Sequence, residues 1–202
     1  MKALLIVDIQ YDFLEGGALA VPDGNQIIPV VNKLQDKFDL VVATQDWHPS
    51  NHKSFASNHP GKNFFDKIIL NGIEQILWPD HCVQESYGAE FHKDLSTKRV
   101  EVIFRKGMET EIDSYSAFYD NGHIKSTGLS SYLKGRNVNE IFITGLAGDF
   151  CVYYSTKDAL NEGFKVTVIE DAVRSIDQKN FQQIKQELSQ RDVNFITSNQ
   201  VI

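Results

Sequence analysis

Short apolar segments alternate with helical patterns along this 202-residue chain. Six segments have strand character, at 3–8, 40–44, 100–104, 141–144, 166–170 and 193–197. Helical periodicity occurs at 25–37, 128–135, 151–162 and 179–191. Strands that alternate with helices form βαβ units, in which right-handed crossovers build a parallel sheet with helices on both faces. The pattern therefore predicts an α/β fold with a six-stranded parallel sheet.

Residues with reactive side chains stand where three of these strands end. Asp8 closes the first apolar segment, Lys106 follows the third, and Cys151 opens the helix after the fourth. In an open parallel sheet, sites lie just beyond the carboxyl ends of the strands. We expect the strand order 3-2-1-4-5-6, which makes the first and fourth strands neighbours and brings Asp8 and Cys151 together. Lys106 ends a strand two places away, so its long side chain or its loop must bridge the gap.

Cys151 is predicted to occupy the first turn of a helix. The helix dipole and the unpaired backbone N–H groups there favour the thiolate, which is the reactive form of cysteine. Free cysteine is also among the most buried residue types and often acts as a small apolar side chain. Position alone leaves both interpretations open, and convergence with an acid and a lysine favours the reactive one.

The pair Asp46 and His48 supplies an oxygen and a nitrogen two residues apart. In extended backbone this spacing points both side chains to the same side. His81 is a third ligand candidate, and His52 and His59 are weaker ones. One carboxylate and two imidazoles suit zinc, manganese or iron, with positions left for water or substrate. The alternative is a plain turn after the second strand, with His48 satisfied by hydrogen bonds.

Composition restricts the class of protein. A net charge of −7 disfavours a nucleic-acid surface. No apolar run approaches the 18 residues of a membrane span, so we expect no membrane partner. The two cysteines, Cys82 and Cys151, cannot form a disulfide framework, which fits a reduced, cytoplasmic setting. The amino terminus runs into a strand without a signal-peptide pattern.

The length suits a single domain spanning 1–202. Its region from about 46 to 98 has few periodic stretches, which is typical of a functional loop region. We expect this region to bind the metal and the substrate. The sequence leaves the oligomeric state open, including a homo-oligomer.

Five motifs, in order along the chain, carry a family resemblance. They are Val7-Asp8-Ile9-Gln10 with Asp12-Phe13 and Gly16-Gly17, Gln45-Asp46-Trp47-His48-Pro49, Trp78-Pro79-Asp80-His81-Cys82-Val83, Arg105-Lys106-Gly107, and Gly145-Leu146-Ala147 through Cys151-Val152. The chain thereby resembles the nicotinamidases (pyrazinamidases) of the isochorismatase-like cysteine hydrolase superfamily. The resemblance implies a Rossmann-type, three-layer fold.

The resemblance also implies roles for individual residues. Asp8, Lys106 and Cys151 match the catalytic triad, and the backbone N–H groups of Ala147 and Cys151 match the oxyanion hole, beside a cis bond at Leu146–Ala147. The implied metal ligands are Asp46, His48 and His81, and the implied ion is a single divalent one, zinc first. The residues implied to hold the substrate ring are Phe13, Trp78 and Tyr115, for which ordinary core packing is the alternative.

The implied reaction is hydrolysis of nicotinamide to nicotinate and ammonia, through a thioester on Cys151, in NAD salvage. One alternative is another amidohydrolase of the superfamily, acting on a carbamoyl or ureido group. A second is a non-catalytic protein that binds small molecules. The chain departs from the family pattern at Tyr11, Gly148 and Phe150, which leaves details of the oxyanion loop and the pocket wall open.

Overall fold

A six-stranded parallel sheet forms the centre of the computed structural model, which describes residues 1–201. Its strands are β1 (Lys2–Val7), β2 (Leu40–Asp46), β5 (Val100–Lys106), β6 (Glu140–Gly145), β7 (Lys165–Val173) and β8 (Asn194–Ile196), and a separate hairpin holds β3 (Lys67–Leu70) and β4 (Ile73–Ile76). The sheet order is β5-β2-β1-β6-β7-β8, and every neighbouring pair is parallel. This confirms the predicted order 3-2-1-4-5-6.

Four α-helices connect the strands of the sheet. They are α1 (Ile28–Leu34), α2 (Leu129–Gly135), α3 (Cys151–Asn161) and α4 (Gln178–Ser189). The start of α4 is fixed by Asp177, whose carboxylate accepts the backbone N–H groups of Lys179 and Asn180. None of the helices within 1–201 combines the length and the apolar character needed to cross a membrane.

Alternate residues of β1 point into two separate apolar cores. Leu5 and Val7 pack in one core with side chains of α2, α3 and α4. Leu4 and Ile6 pack in the other core with side chains of α1. Both faces of the sheet are therefore covered, as the continuous apolar segments predict for parallel strands. The result is a three-layer α/β fold that leaves the carboxyl edge of the sheet accessible to loops.

The region from 46 to 98, for which few periodic stretches were expected, contains one regular element, the β3–β4 hairpin. The register pairs Leu70 with Ile73 across a two-residue turn. Asn71 and Gly72 occupy that turn with φ values of 50° and 83°. Asn-Gly favours this type of turn because both residues tolerate positive φ. This dipeptide was therefore a local signal for the hairpin in the sequence.

Gly145 lets two central strands approach closely where they reach the carboxyl edge. It pairs with Val7 in the β1–β6 register and has a φ of 114°. A Cβ atom at this position would lie 2.0 Å from the carbonyl oxygen of Val7. Only glycine fits here without moving one of the two strands.

We predict that Gly145→Ala lowers the free energy of unfolding by about 3 kcal/mol or more, since backbone strain and a backbone clash add together. Gly135→Ala is the matched control, because nothing lies within 4 Å of its added Cβ. Urea denaturation of both variants measures the difference. Equal stability of the two variants would contradict the role assigned to Gly145.

Candidate active site

Side chains from three strands and one helix meet at the carboxyl edge of the sheet. Asp8 follows β1 with a φ of 47°, which turns the chain out of the sheet. Asp46 and Lys106 end β2 and β5 and are register partners. Cys151 is the first residue of α3. All four side chains are buried, and only Cys151 is as much as 6% exposed.

Lys106 lies at the centre of this cluster, and its side chain bridges the gap between β5 and β1 as predicted. Its ammonium donates to Asp46 Oδ1 at 2.9 Å, to the Ser114 carbonyl at 3.0 Å and to Cys151 Sγ at 3.4 Å. Asp8 Oδ2 lies 2.9 Å from the same nitrogen. An ammonium has three protons, and these three acceptors use all of them. Asp8 Oδ2 is therefore held by charge attraction.

The two oxygens of Asp8 differ in their surroundings. Oδ1 accepts a hydrogen bond from Thr44 Oγ1 at 2.7 Å. Oδ2 is buried and makes no hydrogen bond of good geometry within residues 1–201, although the Lys106 ammonium lies 2.9 Å away. Burial raises the pKa of Asp8 above its usual value, and the neighbouring Lys106 charge offsets only part of this effect. The arrangement presents a carboxylate oxygen able to accept a proton.

Burial acts differently on Cys151 and Lys106. It raises the pKa of the Cys151 thiol well above its usual value, and the charge of Lys106 only partly counters it. Desolvation thus opposes the preference for the thiolate that the helix N-terminus provides. For Lys106, burial alone would lower the pKa, but Asp46 and Asp8 raise it well above the usual value. The lysine stays charged and the thiol stays protonated.

Asp46, His48 and His81 bring three ligand atoms together next to Lys106. Asp46 Oδ2 lies 3.1 Å from His48 Nε2 and 3.7 Å from His81 Nε2. The Nδ1 atoms of the histidines face carbonyl oxygens, His48 that of Gly107 at 2.8 Å and His81 that of Pro79 at 2.7 Å. A carbonyl accepts only, so each Nδ1 carries the proton and each Nε2 of a neutral ring presents a lone pair.

This donor set fits a divalent cation. Two imidazole lone pairs converge on a carboxylate oxygen, and His48 Nε2 has no hydrogen-bond partner within residues 1–201. Histidines whose other ring nitrogen donates to a carbonyl are the usual arrangement around bound zinc. Burial alone would raise the pKa of Asp46, but the neighbouring groups, Lys106 among them, hold it well below its usual value. The carboxylate is ionised, as a metal ligand must be.

The backbone on both sides of the histidines holds them in place. A Cβ on Gly107 would lie 2.3 Å from His48 Cε1, so the ring packs directly on the glycine. The N–H of Cys82, next to His81, donates to Asp12 Oδ2 at 2.7 Å. Cys82 itself is fully buried, as expected.

A second group of possible ligands, His48 with His52 and Asp113, fits a metal less well. His52 Nδ1 accepts the backbone N–H of Ser54 at 3.1 Å. Its Nε2 therefore carries the proton and donates to the carbonyl of Ile112 at 3.3 Å. Because both ring nitrogens are occupied, His52 offers no lone pair to a metal.

An aromatic pocket lies over Cys151. The residues predicted to hold the substrate ring, Phe13, Trp78 and Tyr115, all line it. Leu19, Phe150 and Ile176 complete its largely apolar wall, and the polar residues His81 and Asp46 also line the pocket. The Phe150 ring meets that of Trp78 edge to face, with centroids 4.9 Å apart. Trp78 Nε1 donates to the Tyr115 hydroxyl at 3.1 Å. Phe150 thus adds an apolar ring to this wall at a position where the family pattern differs.

Sequence reasoning missed Gln75, which holds this wall from outside. Gln75 lies on β4 and is buried, although isoleucines on the same strand are partly exposed. Its side-chain nitrogen lies 3.0 Å from the Tyr115 hydroxyl and 3.1 Å from Asp113 Oδ2. The sequence carries no signal for this role, since a glutamine that follows a glutamate in a short strand predicts an exposed side chain.

The loop before Cys151 contains the predicted cis peptide bond at Leu146–Ala147. The backbone N–H groups of Ala147 and Cys151 have no hydrogen-bond acceptor within residues 1–201.

Gly148 departs from the family pattern for a steric reason. A Cβ there would lie 2.3 Å from Ser175 Oγ, so the Ser175 side chain fills the space that a larger residue would need. Tyr11, the third departure, stacks on Tyr87 with centroids 4.1 Å apart, and it does not line the pocket.

The chain is similar to known proteins over nearly its whole length. The isochorismatase domain model matches residues 2–200. A nicotinamidase of Acinetobacter baylyi is 46% identical over 201 residues, which cover 99% of this chain and 94% of that protein. Nicotinamidases are hydrolases that act on an amide C–N bond.

Two solved structures are similar to the fold described above. A nicotinamidase/pyrazinamidase of Acinetobacter baumanii superposes with a TM-score of 0.96 at 47% identity, covering 100% of this chain and 98% of that one. A pyrazinamidase of Pyrococcus horikoshii in complex with zinc has a TM-score of 0.80 at 37% identity, covering 97% and 98%. The family match, the identities and these superpositions agree, and the chain belongs to the isochorismatase domain family.

Proposed function

We propose that this protein is a nicotinamidase, which hydrolyses nicotinamide to nicotinate and ammonia in NAD salvage. The observation that carries the proposal is the Lys106 ammonium, 2.9 Å from Asp8 Oδ2 and 3.4 Å from Cys151 Sγ, beneath an aromatic pocket. A thiol, a base and a cation in contact are the parts that amide hydrolysis through a covalent intermediate requires. Similarity to the nicotinamidases described above supports nicotinamide as the substrate.

In the first half-reaction, Asp8 Oδ2 takes the proton of the Cys151 thiol. The sulfur attacks the amide carbonyl carbon, and the backbone N–H groups of Ala147 and Cys151 stabilise the oxyanion that forms. Asp8 then gives its proton to the departing nitrogen, the C–N bond breaks, and ammonia leaves a thioester on Cys151. The raised pKa of Asp8 suits a group that both accepts and donates a proton.

In the second half-reaction, Asp8 takes a proton from water, and the hydroxide attacks the thioester carbonyl carbon. The same backbone N–H groups stabilise the second oxyanion. The C–S bond then breaks, the sulfur regains a proton from Asp8, and the acid product loses its proton to solvent and leaves as nicotinate. Lys106 remains charged throughout and stabilises each anion formed next to it.

Asp46, His48 and His81 would hold one divalent ion, and zinc is our first choice because zinc accepts a carboxylate and two imidazoles. When bound, the ion would accept the pyridine nitrogen and orient the ring. Phe13, Trp78 and Tyr115 would hold the faces and edge of that ring. Fixing the amide carbon near Cys151 in this way reduces the entropy lost on reaching the attack geometry.

We further propose that 1–202 forms one domain, with the metal and the substrate bound by its region from 46 to 98, and that the protein acts in the cytoplasm. Both cysteines are free thiols, which suits a reducing compartment.

Ammonia release from nicotinamide, measured with and without a chelator, tests the proposed function. Carbamoyl and ureido compounds serve as comparison substrates. Turnover of these compounds with none of nicotinamide would replace the proposal by another amidohydrolase activity. Binding of nicotinamide without turnover would indicate a binding protein.

We predict that Cys151→Ser and Cys151→Ala reduce ammonia release by at least about 1,000-fold, because neither side chain provides a useful nucleophile. Nicotinamide binding, measured by calorimetry, should persist, since it rests on the metal and the aromatic wall. Cys82→Ser is the control and should keep most of the activity. Loss of turnover in Cys82→Ser with an active Cys151→Ala would refute the mechanism.

We predict that His48→Ala lowers the zinc content measured by atomic absorption and raises KM, since one of the three ligands is lost. The fold should persist, as judged by circular dichroism. His59→Ala is the control, because the His59 ring only reaches the Lys53 carbonyl, at 2.8 Å. Full zinc content in His48→Ala would show that the metal is bound elsewhere.

A further inference from the structure

Strand β2 continues past the point where its neighbour β1 stops. The last register pair between the two strands is Ile6 with Ala43. After Val7 the chain turns away at Asp8, while β2 runs on to Asp46. Residues along a strand point their backbone groups alternately to opposite neighbours, and the N–H of Trp47 bonds to β5 through the Lys106 carbonyl. The N–H and C=O of Asp46 therefore face the side that β1 has left.

The side chain of Gln10 fills this vacated position. Its amide nitrogen donates to the Asp46 carbonyl at 2.8 Å, and its amide oxygen accepts the Asp46 N–H at 2.8 Å. The same nitrogen donates to the Ala89 carbonyl at 2.9 Å. A primary amide carries the donor and acceptor of a peptide group, so Gln10 replaces the missing backbone pair. Gln10 is fully buried, which leaves Asp46 no water to bond instead.

Asp46 contacts both parts of the site, the cluster around Lys106 and the pair of histidines. Its Oδ1 lies 2.9 Å from the Lys106 ammonium, and its Oδ2 faces His48 and His81 at 3.1 and 3.7 Å. A carboxylate can keep these three contacts only if its backbone is fixed. Gln10 fixes both backbone polar groups of this residue.

We propose that Gln10 is a positioning residue, which holds the Asp46 carboxylate in the orientation that binds the divalent ion. The inference rests on the proposed function, because it takes Asp46 to be a metal ligand. Gln10 itself would touch neither the ion nor the substrate. Partners that orient metal ligands typically contribute about 10- to 100-fold to metal affinity.

Gln45 provides a matched control on the neighbouring position of β2. Its side-chain nitrogen donates to the same Ala89 carbonyl at 2.9 Å, and it makes no hydrogen bond to the Asp46 backbone. It is also buried, with 7% exposure. Gln45→Met therefore removes a buried amide, its Ala89 contact and the hydrogen bond that Arg105 Nε donates to its Oε1 at 3.1 Å, but it leaves both hydrogen bonds to the Asp46 backbone in place.

The test measures the dissociation constant for zinc by competition with a chromophoric chelator, beside the melting temperature. Methionine keeps the length of glutamine but has no hydrogen-bonding amide, so Gln10→Met should weaken zinc binding about 10- to 100-fold. Excess zinc should restore much of its activity, which a general folding defect would not allow. Gln45→Met should bind zinc like the wild type.

A folded Gln10→Met protein with wild-type zinc affinity would overturn the proposal, as would equal weakening in Gln45→Met. Should Gln10→Met fail to fold, Gln10→Asn keeps an amide that is one methylene too short to reach Asp46, and it should show the same weakening. If neither variant folds, Gln10 is a general folding determinant and the proposal fails. Wild-type protein that binds no zinc would refute the metal assignment in the proposed function itself, a result distinct from all of these.

Discussion

The ion pair network around the buried Lys106 ammonium is the interaction on which the rest of the site depends. Moving a charge out of water costs several kcal/mol or more, and only close partners of opposite charge compensate for it. Lys106 has two such partners, Asp8 and Asp46, each at 2.9 Å. One cation between two carboxylates leaves an excess negative charge at the floor of the pocket. This excess helps to keep the Cys151 thiol protonated, since the charges of Asp8 and Asp46 both raise its pKa.

Asp46 divides its two oxygens between two functions. Oδ1 faces Lys106 and, through it, the thiol; Oδ2 faces the two histidines. The nucleophile and the candidate metal site are thus one continuous electrostatic cluster. Any ion bound by His48 and His81 would lie beside the Asp46 carboxylate, which also compensates for the positive charge of Lys106. A change that moves Asp46 would therefore disturb both substrate placement and the charge around Cys151.

The sequence was sufficient to predict the sheet order and the residues that meet at its carboxyl edge. Both follow from the order of the strands along the chain and from the right-handed crossover rule, which depend on the backbone connections and not on side-chain contacts. The three ligand candidates, Asp46, His48 and His81, also met as expected, although their assignment depended on family resemblance. Gln10 and Gln75 could not be recognised, because their roles come from which backbone or hydroxyl groups remain unpaired after folding. The raised pKa of the Cys151 thiol could not be inferred for a related reason: the helix dipole can be inferred from sequence, whereas full desolvation appears only once the pocket is closed.

The β3–β4 hairpin links the outer surface to the pocket wall. From β4, Gln75 reaches the Tyr115 hydroxyl, which also accepts the Trp78 indole N–H at 3.1 Å. The Phe65 ring, just before β3, meets the outer side of Trp78 edge to face, with centroids 6.0 Å apart. Trp78 is only 4% exposed, whereas Phe65 is 59% exposed. The indole is thus held by a hydrogen bond at its edge and by a phenyl ring on its solvent side. A largely exposed hairpin and the residue just before it therefore stabilise the aromatic wall from outside, through contacts that do not involve Cys151.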